Sequence, residues 1–151
     1  MLTANSQMLK VNSLHYKTKN FMLFDQEFLN TLCEQAKENP RLRLNYDLRN
    51  SASDTSQRML NALCPGTIVP IHRHRETTEV MMVVRGSVRE HFYDSDGNLV
   101  ESFLLKAGKD CLIKIPAGQF HNLECLEEGT VIFEAKDGAY KPLAEEDIII
   151  F

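Results

Sequence analysis

Hydrophobic and polar positions change period once along this chain. Between Asp25 and Pro40 the apolar residues Phe28, Leu29, Leu32, Cys33 and Ala36 recur at steps of three and four, the period of one face of an α-helix. Asp25 suits the N-cap, because its carboxylate can accept from the free amides of a first turn, and Asn39-Pro40 ends the run. The apolar stripe predicts a helix packed on whatever follows. From Gln57 onward the pattern shortens to apolar stretches broken at Pro65-Gly66, Asp94-Ser-Asp-Gly97-Asn, Ala107-Gly108-Lys, Pro116-Ala-Gly118 and Glu127-Glu-Gly129. That is the rhythm of a mainly β sandwich or barrel.

Within it, His91-Phe92-Tyr93 and Leu99-Val100 flank a turn whose Gly97 can take the positive φ such connections need, so a hairpin is expected there. Residues 50 to 56 are small and polar without period, and read as a surface loop between the helical segment and the sheet. Phe21-Met-Leu-Phe24 is the densest part of an expected lead-in strand or arm. At the other end, Asp147-Ile-Ile-Ile-Phe151 is too apolar to stand in water and is expected to dock on the barrel or across a subunit interface. The expected organisation is one domain in three parts: arm and helix over 1–54, barrel over 55–136, extension over 137–151.

One constellation stands out against this background. His72 and His74 are two apart, so on a strand both imidazoles point to the same face. Glu79 opens the apolar run Val80-Met-Met-Val-Val84, which reads as the next strand, and His121 follows the turn Pro116-Ala-Gly118 at the start of a third. Three imidazoles and one carboxylate would then converge from separate strands. A buried Glu79 among imidazoles would need compensation, and a divalent cation favours an ionised carboxylate and neutral imidazoles together.

The spacing Gly66-x5-His72-x-His74-x4-Glu79-x6-Gly86, followed by Pro116-x-Gly118-x2-His121, resembles the two-part signature of the cupin superfamily. That resemblance implies a single cupin, a double-stranded β-helix or jelly-roll barrel with an N-terminal helical segment, and His72, His74, Glu79 and His121 as ligands of one metal ion. A narrower likeness covers most of the chain. Asn39-Pro40-Arg41-Leu-Arg43, Gln57-Arg58-Met-Leu-Asn61-Ala-Leu63, Pro65-Gly66-Thr, Pro70-Ile-His72-Arg-His74, Ile115-Pro116-Ala-Gly118-Gln-Phe-His121 and Phe133-Glu134-Ala-Lys136-Asp-Gly138-Ala-Tyr140-Lys-Pro142 resemble the WbuC-family cupin fold metalloproteins. Asp110 and Cys125 depart from the general second motif, which has glycine and often asparagine there; neither is a proposed ligand. The narrower likeness implies a link to surface-polysaccharide synthesis and hence a sugar or nucleotide-sugar substrate.

Composition limits the partners. The chain has 151 residues, enough for one domain with its own core, and a net charge of −4 without a basic block, which argues against nucleic acid. No apolar run reaches bilayer-spanning length and the first residues lack a secretory pattern, so the expectation is a cytoplasmic protein without membrane contact. Cys33, Cys64, Cys111 and Cys125 show no CxxC spacing and are expected to be free thiols, though Cys125 lies four residues past His121 on the same strand face. Eight arginines fall between Arg41 and Arg89; several facing one mouth would suit an anionic ligand.

Histidine-rich ligation with a carboxylate leaves open positions on a divalent Fe, Mn, Ni or Zn ion. Met81, Val83, Leu123 and Cys125 have the parity for an apolar wall around it. Gln57, Arg58, Asn61 and Tyr140 are candidate substrate contacts, with Gln57 and Asn61 on one strand face and Arg58 on the other. His15 and His91 are expected to be structural or surface histidines, although His91, Glu90 and Tyr140 are also the available guesses for a general base. Three functions fit: a metal-dependent isomerase or epimerase on a small sugar-related molecule, an iron-dependent dioxygenase, and a non-catalytic ligand-binding or sensing cupin, with a homodimer possible through the apolar termini.

Overall fold

The computed structural model describes residues 21–151. The expected arm over residues 1–20, with His15, lies outside them. Helix α1, Gln26–Glu38, forms where the apolar period places it: the Asp25 carboxylate accepts from the Phe28 amide at 2.9 Å, Glu27 and Lys37 lie at the ends that suit their charges, and Asn39 closes the helix. Phe28, Leu29, Leu32, Cys33 and Ala36 are all buried. Phe21 makes an isolated bridge and residues 22–24 lie outside any strand; Phe24 packs edge-on against Phe28 and Tyr46, at centroid distances of 5.0 and 5.8 Å.

Ten strands follow: β1 Arg43–Asp47, β2 Ser56–Leu63, β3 Ile71–His72, β4 Glu79–Arg85, β5 Ser87–Tyr93, β6 Leu99–Lys106, β7 Leu112–Ile115, β8 Phe120–Cys125, β9 Thr130–Asp137 and β10 Ile148–Ile149. They make two five-stranded antiparallel sheets, ordered β1-β2-β9-β4-β7 and β10-β3-β8-β5-β6. The expected β5–β6 hairpin is present, with Gly97 at φ +82° and the Asp94 carboxylate accepting from the Asp96 and Asn98 amides at 2.9 Å. Strand β1 was not anticipated. It joins the first sheet ahead of the polar loop, pairing Arg43 with Leu63 and Asp47 with Met59.

Strand parity sorts the first sheet into two faces. Leu60, Ala62 and Val131 are buried under α1 on the outside, with Leu44, Tyr46 and Phe133 packed around them. Burying Leu60 or Val131 in this way contributes about 1.5–3 kcal/mol each. On the inside, register aligns Gln57, Lys136 and Glu79 in one row, Met59, Glu134 and Met81 in the next, and Asn61, Ile132 and Val83 in a third. The facing sheet contributes His72, His121 and Phe92 in one row, then Leu123 with Glu90, then Cys125 with Val88. Leu63, Met81, Val83, Val88, Leu105, Cys125 and Ile132 close one end of the interior as an apolar cluster, with Leu123 against it. The opposite end is polar.

Candidate metal centre

The polar end is built by three short stretches of chain. His72 ends β3, paired directly with His121 on β8; His74 lies just beyond β3, outside any strand, yet its ring still lies 5.1 Å from that of His72. The Gly118 amide donates to the His74 carbonyl at 2.7 Å, which ties the two histidine segments together. Glu79 opens β4 and reaches across from the other sheet: its Oε2 lies 3.5 Å from His74 Nε2 and 3.6 Å from His121 Nε2. One potential ligand atom from each of His72, His74 and His121 falls within 4.8 Å of the others.

Backbone carbonyls orient two of the rings. Nδ1 of His72 lies 2.8 Å from the Pro70 carbonyl and Nδ1 of His121 lies 2.9 Å from that of Gln119, in each case two residues upstream. A ring that donates through Nδ1 keeps the lone pair on Nε2, the form a metal needs. Outside the cluster, the intervening arginines are held by Asp147, whose Oδ1 accepts from Arg73 Nε at 3.0 Å and from Arg75 Nε at 2.5 Å. The Asp147 carbonyl also accepts from the Arg73 amide at 3.0 Å. With Arg73 and Arg75 fixed outward, His74 between them faces inward.

Burial dominates the electrostatics. It pulls His72 and His74 down to about 4, aided for His72 by His121 and for His74 by Lys136, so both imidazoles are neutral at pH 7. For Glu79, burial opposes ionisation, but contact with His121 and the Lys136 ammonium outweigh it and hold its carboxyl well below the usual carboxylate range. Burial likewise works against the Lys136 cation, yet Glu134 at 3.2 Å and Glu79 at 3.8 Å keep it protonated. Glu79 Oε2 is buried without a hydrogen-bond partner among the described residues. Neutral imidazoles around an ionised carboxylate oxygen that lacks a hydrogen bond are a donor set that fits a divalent cation.

A cavity of about 190 Å³ opens beside the cluster, lined by His72, His121, Glu79, Glu90, Asn61 and Glu134 among others. Asn61 therefore faces it as parity requires. Gln57 shares the inner face but is buried at the end of the row, its amide donating to the Gly138 and Ala139 carbonyls at 3.3 and 3.4 Å. Arg58 is on the outer face, with its guanidinium on Asp54 at 2.8 Å and on Ser56. Tyr140 is exposed, with the Arg49 guanidinium 5.9 Å from its ring. Of the eight arginines, Arg43 lines the cavity, while Arg49, Arg58, Arg73, Arg75 and Arg85 are bonded elsewhere, so they do not gather at one mouth. Cys125 lies in the apolar cluster, its thiol donating to the Leu63 carbonyl at 3.4 Å, and His91 turns away to Ser102 at 2.7 Å.

Sequence reasoning guessed at Glu90 without its face and passed over Glu134 and Lys136. Their signal was register: each shares parity with residues that must face inward, but only the pairing of β5 with β8 and of β9 with β4 reveals it.

Among solved structures, the capsular polysaccharide assembling protein CapF from Staphylococcus aureus is similar over 74% of this chain and 32% of its own, at 21% identity and a TM-score of 0.58. Oxalate oxidase in complex with glycolate is similar over 72% and 57%, at 18% identity and 0.56. A variant of oxalate decarboxylase OxdC from Bacillus subtilis is similar over 64% and 25%, at 24% identity and 0.51. This chain thus spans about a third of CapF and less than two thirds of the oxidase. No curated protein matches the sequence. The two sheets, the flanking helix and these likenesses define the class: the chain has the cupin fold. Residues 24–105 match a domain of unknown function (DUF6016), and the chain belongs to that family.

Proposed function

We propose that this chain is a metal-dependent cupin of the WbuC type, acting on a small sugar or nucleotide-sugar related to surface polysaccharide. His72, His74, Glu79 and His121 hold one divalent ion, Fe, Mn, Ni or Zn. The observation that carries this is the buried Glu79 Oε2, which lies between the Nε2 atoms of His74 and His121 without a hydrogen-bond partner among the described residues. A bound divalent ion supplies Lewis-acid polarisation of a carbonyl or of paired hydroxyls, the chemistry an isomerase or epimerase needs. The chain itself contributes neutral imidazoles, an apolar back wall and amide side chains at the cavity. Asn61 is the candidate ligand contact among the residues named from sequence; Gln57 shares its face, while Arg58 and Tyr140 would contact ligand only by leaving their present partners.

The sugar side of the reading draws on the polar cavity lining and on the likeness to CapF, whose name ties it to capsular polysaccharide assembly. Four free thiols suit a reducing cytoplasm. The exposed Leu99, Val100, Phe103 and Leu104 of β6, with Ile150 and Phe151, suit a homodimer interface.

Elemental analysis of protein purified without tag metals, beside a His72→Ala, His121→Ala variant, tests the centre. Near-stoichiometric metal that is lost in the variant supports it; equal trace metal in both, persisting after reconstitution, overturns it. Oxygen uptake by the iron form would move the reading to a dioxygenase, and saturable sugar binding without turnover would move it to a sensing cupin.

A further inference from the structure

Glu90 is 1% exposed, on the inner face of β5, and lines the same cavity as His72, His121 and Glu79. Neither of its carboxyl oxygens has a hydrogen-bond partner among the described residues. Leaving such a group bare costs about 1–3 kcal/mol, more if it is charged, and buried polar groups in folded proteins are almost always satisfied. The side chains around it offer no rescue. Glu79 and Glu134 carry like charge, and Lys136, the one buried lysine among the described residues, is held by those two.

We propose that Glu90 is the ligand-binding acid of this cavity: a neutral carboxyl group that donates its proton, in a hydrogen bond, to a carbonyl or hydroxyl oxygen of a small ligand lodged between it and the histidine cluster. The placement of the ligand rests on the metal reading above. In the metal-free chain burial, followed by the charges of Glu79 and Glu134, raises the Glu90 pKa well above its ordinary value, and burial, the larger cause, is independent of what Glu79 holds.

The lining also selects the ligand. Asn45 and Asn61 can donate to and accept from hydroxyls, and Arg43 supplies one guanidinium, itself engaged by the Thr67 hydroxyl and the Ile68 carbonyl. The class is therefore hydroxycarbonyl and polyhydroxy compounds, whose neutral oxygens can accept from a protonated carboxyl.

Infrared difference spectroscopy on the metal-loaded chain tests this, with dihydroxyacetone as the hydroxycarbonyl probe. At pH 7 a protonated-carboxyl stretch is expected in the parent and absent from Glu90→Gln. Dihydroxyacetone should lower its frequency, and Glu90→Gln should weaken binding of the probe about tenfold while keeping its metal. Glu90→Asp, which keeps an acid but retracts it, should retain a protonated-carboxyl band without the ligand-induced shift. The proposal falls if the parent lacks the band, if Glu90→Gln retains it, if Glu90→Gln loses metal, or if dihydroxyacetone does not bind. Metal retained by the His72→Ala, His121→Ala variant would overturn the metal centre instead, and the infrared band would still test Glu90 independently.

Discussion

Gly86 closes the first histidine motif at φ +82°, and a Cβ there would come within 2.8 Å of the Thr130 Cα. Thr130 has no room to retreat, because it is fully buried and its hydroxyl donates to the Glu127 carbonyl at 2.7 Å. Gly86→Ala should therefore cost at least about 2 kcal/mol, read as a lower urea midpoint with unchanged slope. Glu90 governs a second effect at this scale. With its folded pKa raised, the folded chain holds a proton over a range where the unfolded chain has released it. Its contribution is complete below the ordinary carboxylate range and is lost as pH rises toward the folded pKa. In metal-free protein, Glu90→Gln should match the parent Tm near about pH 4 and exceed it increasingly toward about pH 8. A gap that stays constant with pH would contradict this.

Elements differ in how plainly their residues announce them. Helix α1 was legible because its stripe faces one apolar surface without interruption; Leu32→Ala, at 0% exposure, should cost about 2–5 kcal/mol and Asp25→Ala about 1 kcal/mol by urea unfolding. Strand β1 was illegible for a physical reason. Its Leu44 and Tyr46 face α1 while Arg43 and Asn45 face the cavity, so the side of the strand that looks solvated is interior. The strand parity used for the histidine pair held in effect, although only His72 lies in β3 and the direction of His74 is secured from outside, by the grip of Asp147 on Arg73 and Arg75. Arg75 and then Arg73 hold the Asp147 carboxyl below its ordinary value, so this clamp is present above the ordinary carboxylate range and weakens as pH falls through the folded pKa. If the proposed ligands bind an ion, Asp147→Ala should lower that affinity about tenfold in competition with a chelator.

At the scale of the molecule, the proposed ligands were readable because motif spacing survives without knowledge of pairing. Glu90, Glu134 and Lys136 were not, because a charged residue in an alternating strand reads as solvent-facing until register turns it inward. If the four proposed ligands bind an ion in the folded chain alone, adding it at a hundred times its Kd should stabilise the protein by about 2.7 kcal/mol, and the His72→Ala, His121→Ala variant should show none of this gain by calorimetry.

The strand carrying His72 is completed only by β10, and Arg73 is paired with a carboxylate 74 residues further along the chain. During synthesis at about 5–20 residues per second, the histidine pair emerges roughly 4–15 s before its clamp. Over that interval it is an open imidazole chelate, which ranks metals by intrinsic affinity and so favours copper and zinc, rather than by the geometry of the finished cavity. If the proposed centre binds an ion, which one it acquires is a matter of timing: protein folded first and loaded afterwards should carry a different ion from protein translated in the presence of mixed metals.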